Sequence, residues 1–435
     1  MSNIDIGFIG LGAGIVLLLL RIQIGVALGL VSFIGIAVLL NMRAAWGIVT
    51  AIPFNFVGDW NLTAIPMFLL MGFVASESGL SSGLFRTMRI LLSWLPGGLA
   101  VASVGASAML AAASGSSVAT SSAFARIATP EMLRYRYDPG LATGVIAAAG
   151  TLGSLIPPSI LMIIYGYIAE VSVAKLFAAG VVPGILTAVA FSTMIVVRCA
   201  LKPSLAPPVR ERFTRADIRQ AIAETWALPV IILGVLTGIF LGFFTPTAAG
   251  AVGAALAIVV ASLRRSLTLA VLSASIRQTL IGTSSIFMVV IGTALLGKFM
   301  ALSGVPTFVA QSFVSFGTSQ LLVLVAIALL YLFLGCFLDS IGILLLTMPI
   351  ILPMANEAGL DLIYLGIVLV KLLEIGLLTP PVGLNVYVIK GALGDRVALS
   401  AIFRGVGWFI AVDLVVLTFL ISFPQLSLWL PSMMQ

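Results

Sequence analysis

The sequence predicts an all-α polytopic membrane protein built as two inverted repeats, each holding a re-entrant hairpin and a helix broken at a Pro-Pro pair. Two observations carry this. Apolar residues make up 61% of the chain and charged residues 9%, with a mean hydropathy of +1.24; a soluble domain carries roughly 25% charged residues and could not hide so much apolar surface from water. Two short segments, Gly153-Ser-Leu-Ile-Pro-Pro-Ser159 and Gly376-Leu-Leu-Thr-Pro-Pro-Val382, then place Pro-Pro pairs inside long apolar stretches, 223 positions apart. A double proline removes two backbone donors and clashes with the preceding turn, so a helix breaks there. Broken backbone at membrane depth is tolerated only where protein buries it or where it lines a cavity. Matched breaks in two halves point to a secondary transporter with its site near the membrane midplane.

Taken in order, residues 6–20 and 22–40 approach the ~20-residue length of a span. Residues 1–20 lack a basic n-region and a small-residue cleavage site, so they read as the first membrane helix and not as a signal peptide. Residues 95–132 form a hairpin entering and leaving from the cytoplasm, its tip running from Ser114 to Ser122; 139–168 cross outward through the first break, and 172–198 return. The stretch 202–224 holds three prolines, five cations and three acids, and divides the chain as its only extended polar segment. The second half repeats the plan in mirrored orientation: helices near 226–243 and 245–263, a span at 278–300, and a hairpin near 319–355 with its tip from Leu338 to Gly342. The second broken helix covers 360–392, and 403–424 closes the chain.

Charge supports this order. Of 22 cations, 17 fall in loops assigned to the cytoplasm; Arg126 and Lys371 fall within the membrane zone, and Arg21, Lys175 and Lys298 lie outside. That is a positive-inside pattern reporting orientation, so the net charge of +7 does not imply a nucleic-acid partner. At a constant offset of 223, ten identities occur between 117–161 and its counterpart, among them Ser117/Ser340, Pro130/Pro353, Asp138/Asp361, Gly153/Gly376 and both Pro-Pro pairs.

The absence of histidine removes Ser-His and Cys-His catalysis and histidine relays. Cys199 and Cys336 have no metal-type spacing and read as buried apolar residues. Gly292-Thr-Ala-Leu-Leu-Gly-Lys298 nearly spells a phosphate-binding loop, but Phe299 stands where Ser or Thr would hold Mg²⁺, and no strand precedes it. An intramembrane hydrolase would need a Ser-Lys or paired-Asp arrangement that is not evident, and no cofactor is indicated.

At each break the first half-helix ends in carbonyls without intrahelical partners, which with neighbouring hydroxyls suit a hard cation such as Na⁺. The second half-helix is expected to begin at the prolines, and its N-terminus, with roughly half a positive charge, offers a cradle for a carboxylate. Ser159 and Thr379 flank the breaks. The first tip is rich in hydroxyls, including Ser114, Ser116 and Ser117, and the second offers Asp339 and Ser340. A carboxylate at membrane depth is functional by default; a solvated tip is the alternative for Asp339. Lys371 and Glu374, three apart on a helix, read as a self-neutralising pair or as a substrate or gating device. As a pair, Glu374→Gln alone should harm the protein more than Glu374→Gln combined with Lys371→Met. Asp413 reads as an interior polar contact. Asp339 and Glu374 leave proton coupling as the alternative to Na⁺.

The segments 150–160 and 375–385, with Asp138-Pro-Gly-Leu-Ala-Thr-Gly144 and Leu334-Gly-Cys-Phe-Leu-Asp339, resemble the signature segments of the large membrane subunit of tripartite ATP-independent periplasmic (TRAP) transporters. The resemblance runs over nearly the whole chain. It implies an elevator-type fold with scaffold helices and an arm in 1–94 and 226–318, a transport domain from 95–198 and 319–435, and a cytoplasmic loop at 199–225. It also implies Na⁺-driven uptake of an organic anion, a carboxylate or sugar acid, across a bacterial inner membrane. The partners expected are a small four-helix membrane subunit and a periplasmic substrate-binding protein; a self-sufficient symporter of the same superfamily is the alternative. The resemblance carries ion binding by matched position to Ser117, Gly153, Ser340, Gly376 and Thr379, and with the tip residues Ser114, Gly115 and Asp339 these are the candidate ion ligands. The candidate substrate contacts are Pro158, Ser159, Thr379, Pro381 and Asn385. Lys371 and Glu374 depart from the commoner family pattern before the second break.

Overall fold

The computed structural model describes residues 2–20, 22–80, 82–208, 213–315 and 319–434. Arg21, Arg210 and Arg212, which enter the loop-charge pattern, lie outside the described residues. Among the described residues all regular structure is helical, with no β-strand. Helices α1 (Asn3–Leu19), α2 (Ile24–Leu39), α3 (Met42–Val57), α4 (Ala64–Glu77) and α5 (Ser82–Leu92) lead to the first hairpin, α6 (Gly98–Ser114) and α7 (Ser117–Arg134). The first broken helix is α8 (Pro139–Leu155) with α9 (Ile160–Ile168), followed by α10 (Val173–Leu201). After α11 (Arg215–Thr225) the second half runs α12 (Ala227–Phe240), α13 (Pro246–Leu263), α14 (Leu269–Ser303) and α15 (Val305–Ser315). Its hairpin is α16 (Gln320–Gly335) and α17 (Ser340–Glu357), its broken helix α18 (Leu362–Gly376) with α19 (Leu384–Leu393), and α20 (Leu399–Ser422) and α21 (Gln425–Ser432) end the chain. Among the described residues seven helices, counting Pro139–Ile168 as one, are long and apolar enough to cross a membrane, or eight if the bent pair α11–α12 forms one span.

The repeat is visible in how helices start. Asp138 caps α8, accepting from the Leu141 N–H at 2.9 Å, and Asp361 caps α18, accepting from the Tyr364 N–H at 2.9 Å. Ser116 caps α7 through the Ala119 N–H, and Asp339 caps α17 through the Gly342 N–H. Each pair is separated by 223 positions, and in each the side chain satisfies a donor that the first helical turn leaves orphaned.

Around the hairpins and broken helices lies one large apolar core, and a smaller one forms where Leu28, Val31 and Ile36 of α2 meet Leu296, Phe299 and Met300 of α14. Close backbone approach sets the central crossing. A Cβ on Gly405 would lie 1.9 Å from the Gly140 carbonyl oxygen, so α20 and α8 pack backbone to backbone. Large apolar side chains elsewhere are exposed, such as Leu233, Phe243 and Leu280, as lipid-facing surface requires.

The structure corrects several sequence expectations. Only Gly115 and Ser116 separate α6 from α7, so the first tip is two residues and most of its hydroxyls belong to α7. The second half-helices do not begin at the prolines: α9 starts two residues past Pro158 and α19 three past Pro381. Proline holds the residue before it in extended conformation, and Ile156 accordingly turns out of the helix at ψ 122. The span expected at 278–300 is the 35-residue α14. Cys336 is only partly buried.

The loop at 199–225 is also not free. Helix α11 carries a capping box in which the Thr214 hydroxyl accepts from the Asp217 N–H while Asp217 accepts from the Thr214 N–H. It docks on α5 through Arg86–Glu224 at 3.3 Å and a Thr87–Thr225 hydroxyl pair at 2.6 Å. Thr214→Ala is expected to lower local stability of α11 by about 1 kcal/mol, read as faster amide exchange over 215–225. Unchanged exchange would show that docking on α5 alone holds the helix.

Candidate functional site

In both repeats the hairpin tip is bonded to the residue range that follows the Pro-Pro pair. The Ile160 N–H donates to the Gly115 carbonyl at 3.4 Å, and the Val382 N–H donates to the Cys336 carbonyl at 3.2 Å. Glycine makes each approach possible. A Cβ at Gly153 would stand 2.8 Å from the Ser116 carbonyl, and one at Gly376 would stand 2.7 Å from the Gly335 Cα. The bonded pairs tie each tip to the helix break of its own repeat.

At the first tip, Ser117 shares a 2.6 Å hydrogen bond with Ser154 and donates to the Thr151 carbonyl at 3.3 Å. Ser114 pairs with Thr120 at 2.9 Å. Pro158 and Ser159 follow the break, and the Ser159 hydroxyl, at the N-cap of α9, makes no capping bond. At the second tip Asp339 spends one carboxylate oxygen on capping α17. Thr379 donates to the Ile375 carbonyl at 2.7 Å, closing the frayed end of α18. Pro381 lies in the seven-residue connection between α18 and α19, and Asn385, the second residue of α19, donates to the Ala147 carbonyl of α8 at 3.2 Å. Asn385 thereby bonds the second broken helix to the first.

The donor set fits a hard cation. The hydroxyl oxygens of Ser121, Ser159 and Ser340 and the amide oxygen of Asn385 are buried without a hydrogen-bond partner among the described residues. Buried polar atoms are ordinarily satisfied; others without a partner among the described residues, such as Ser107, Thr129, Ser275 and Ser427, lie elsewhere, but these four stand at or near the tips and breaks and are neutral oxygens of the kind Na⁺ takes. Among the described residues no group of three His, Cys, Asp or Glu side chains could hold a metal ion.

Lys371 and Glu374 do pair, at 3.3 Å, but they are not alone. Lys371 Nζ donates at 2.6 Å to Asp413 on α20 and at 3.1 Å to Thr187 on α10, and Lys371, Glu374 and Asp413 are all 0% exposed. Sequence reasoning placed Asp413 correctly as an interior contact and missed that it is the tighter partner. Thr187 and Ser154 were missed altogether; a lone hydroxyl in an apolar run carries no signal of its partner.

A cavity of about 1240 Å³ is lined by Asp59, Asn61, Tyr167, Glu170 and Lys298 and by the second half of α17, and touches none of the predicted site residues. A cavity of about 500 Å³ reaches Ser114 and Ser116 at the first tip.

Comparison with known proteins gives this geometry a family. Residues 11–426 match the family "Tripartite ATP-independent periplasmic transporter, DctM component". The chain is 36% identical to the C4-dicarboxylate TRAP transporter large permease protein DctM of Pseudomonas aeruginosa, over 86% of each chain. It is 32% identical to the sialic acid TRAP transporter permease protein SiaT of Haemophilus influenzae, over 94% of this chain and 66% of that longer protein. Among solved structures, the YdaH transporter of Alcanivorax borkumensis superposes with a TM-score of 0.64 at 15% identity, over 89% of this chain and 90% of that one, a likeness of fold.

Proposed function

This chain belongs to the DctM family of TRAP transporter large permeases, and from that premise we propose that it is the permease subunit of a Na⁺-coupled, binding-protein-dependent importer of an organic anion. It is an integral membrane permease and not an enzyme. The proposed anion is a carboxylate or sugar acid, in line with the sialic acid and C4-dicarboxylate named for the relatives. The proposed setting is a bacterial inner membrane, with a periplasmic binding protein and a small membrane subunit as partners.

The observation that supports this best is the pair of tip-to-break contacts, Gly115 with Ile160 and Cys336 with Val382, repeated in both halves beside unspent buried oxygens. A site built from two re-entrant tips and two helix breaks holds an ion by carbonyls and hydroxyls. It leaves the N-termini of α9 and α19 to a substrate carboxylate. The same contacts bind hairpins and broken helices into one body, the proposed transport domain. Its displacement against helices such as α2, α4, α13 and α14 would be the elevator step.

In this reading the backbone of Gly153 and Gly376 and the hydroxyls of Ser117 and Ser340 contribute to the ion sites, and Ser159 and Asn385 face the substrate. The test is uptake of radiolabelled succinate and sialic acid into proteoliposomes holding this chain with its small subunit and binding protein. Uptake is expected only with an inward Na⁺ gradient and with the binding protein. Uptake without the binding protein would identify a self-sufficient symporter, and uptake on a pH gradient alone would replace Na⁺ by the proton. Ser340→Ala is expected to raise the Na⁺ concentration at half-maximal rate about tenfold, the loss of one ligand hydroxyl.

A further inference from the structure

Arg126 is unaccounted for by the ion site. It lies on α7 and is exposed, and its guanidinium has no ion pair or hydrogen bond among the described residues. The loop charges place it in the membrane zone, where an unpaired cation is costly and ordinarily functional. It lines the cavity of about 500 Å³ that ends at Ser114 and Ser116. Val118, Ser122 and Arg126 follow at intervals of four, so one face of α7 leads from the tip along the cavity wall to the guanidinium. The opposing wall is supplied by α4 and by Gln278 of α14. Its one acid, Glu77, accepts from the Gln278 side chain at 2.8 Å and forms no ion pair with Arg126.

We infer that Arg126 is an anion-binding residue of this cavity, receiving the substrate carboxylate on the side of the first hairpin tip that faces α4 and α14. A guanidinium presents a planar fork that takes a carboxylate through two parallel bonds. The wall opposite offers Glu77 as an acceptor and Ser76 as a hydroxyl, which suits a carboxylate that also carries hydroxyl groups. Arg126 is the one cation among the described residues lining this cavity and is not paired with Glu77, so it is the group that draws an anion in. In the topology predicted from loop charges this cavity opens to the cytoplasm, so Arg126 would hold the anion on its way out. The assignment rests on the transport reading above for the identity of the anion, but not for the attraction itself.

The test therefore begins without substrate. In the full chain carrying Cys199→Ala and Cys336→Ser, a single cysteine is placed at Ser76→Cys. It is labelled with an anionic sulfonatoethyl and, separately, a cationic trimethylammonioethyl methanethiosulfonate. Arg126→Gln is expected to lower the anionic-to-cationic rate ratio about fivefold, the scale for removing one unit charge from the same wet cavity; Arg126→Lys is expected to keep most of it. An unchanged ratio in Arg126→Gln overturns the proposal. In proteoliposomes, Arg126→Gln is expected to raise KM for the transported acid about tenfold, with a smaller change in maximal rate. Unchanged KM beside normal Na⁺-driven uptake overturns the role of Arg126 alone. Absence of uptake in the unmodified complex would instead fail the transport reading, with the labelling ratio still deciding whether Arg126 attracts anions.

Discussion

Lys371→Met is expected to destabilise the folded protein by about 3–5 kcal/mol, because it strands carboxylates that have no access to solvent. Lys371 Nζ is 2.6 Å from Asp413 and 3.3 Å from Glu374, and none of the three is exposed. One oxygen on each acid is already without a hydrogen-bond partner among the described residues, so removing the ammonium leaves nothing to compensate them. Replacing all three with apolar residues, as Lys371→Met with Glu374→Leu and Asp413→Leu, is expected to recover most of the loss, since a buried ion cluster adds little over well-packed apolar residues. The measurement is thermal unfolding of the purified protein followed by tryptophan fluorescence; equal losses in single and triple variants would refute the account. Asp413 also reverses the ranking expected from Lys371 and Glu374 alone. Glu374→Gln keeps the tighter pair, whereas Glu374→Gln with Lys371→Met strands Asp413, so the double change becomes the worse one.

Gly376→Val is expected to reduce uptake by about a hundredfold, the scale of effect when a site is displaced by an ångström. A Cβ there would meet the Gly335 Cα at 2.7 Å, and a backbone atom cannot swing aside as a side chain can. The second tip must then withdraw from its break, losing the register that brings Cys336 to Val382. Gly153→Val acts the same way on the first tip through the Ser116 carbonyl. Gly391→Ala is the control, since nothing lies within 4 Å of its added Cβ. Comparable uptake by Gly376→Val and Gly391→Ala, at equal expression, would show that the tip contact is not used in transport.

These positions mark what the sequence could and could not reveal. The Pro-Pro pairs, the glycines before them and the match of Asp138 with Asp361 were readable because each imposes a local backbone demand, and local demands repeat when a repeat does; that the two aspartates cap helices was seen only in the structure. The pairing of Ser117 with Ser340 in register was readable for the same reason. The partner of Lys371 was not: Asp413 lies on another helix, 42 residues on, and no spacing rule reaches it. Helix α11 was hidden in the polar stretch 202–224, because a surface helix docked mainly through Arg86, Thr87, Glu224 and Thr225 shows little apolar periodicity. The restart of α9 at Ile160 was misplaced because Pro is as content just before a helix as inside its first turn.

The caps have one more consequence, and it is electrical. Ser116 and Asp339 stand in equivalent frames and do the same backbone work, yet only Asp339 can carry a unit charge, when its carboxyl is ionised. A membrane voltage acts on the second cap itself whenever Asp339 is ionised and not neutralised by a bound cation, whereas the Ser116 side chain offers it no charge. Carrying one charge through the full potential is worth about 2.3 kcal/mol per 100 mV, so any travel of the second tip along the membrane normal does electrical work that the first does not. Two tips capped in the same way thus differ in the work a field can do on them once Asp339 is ionised.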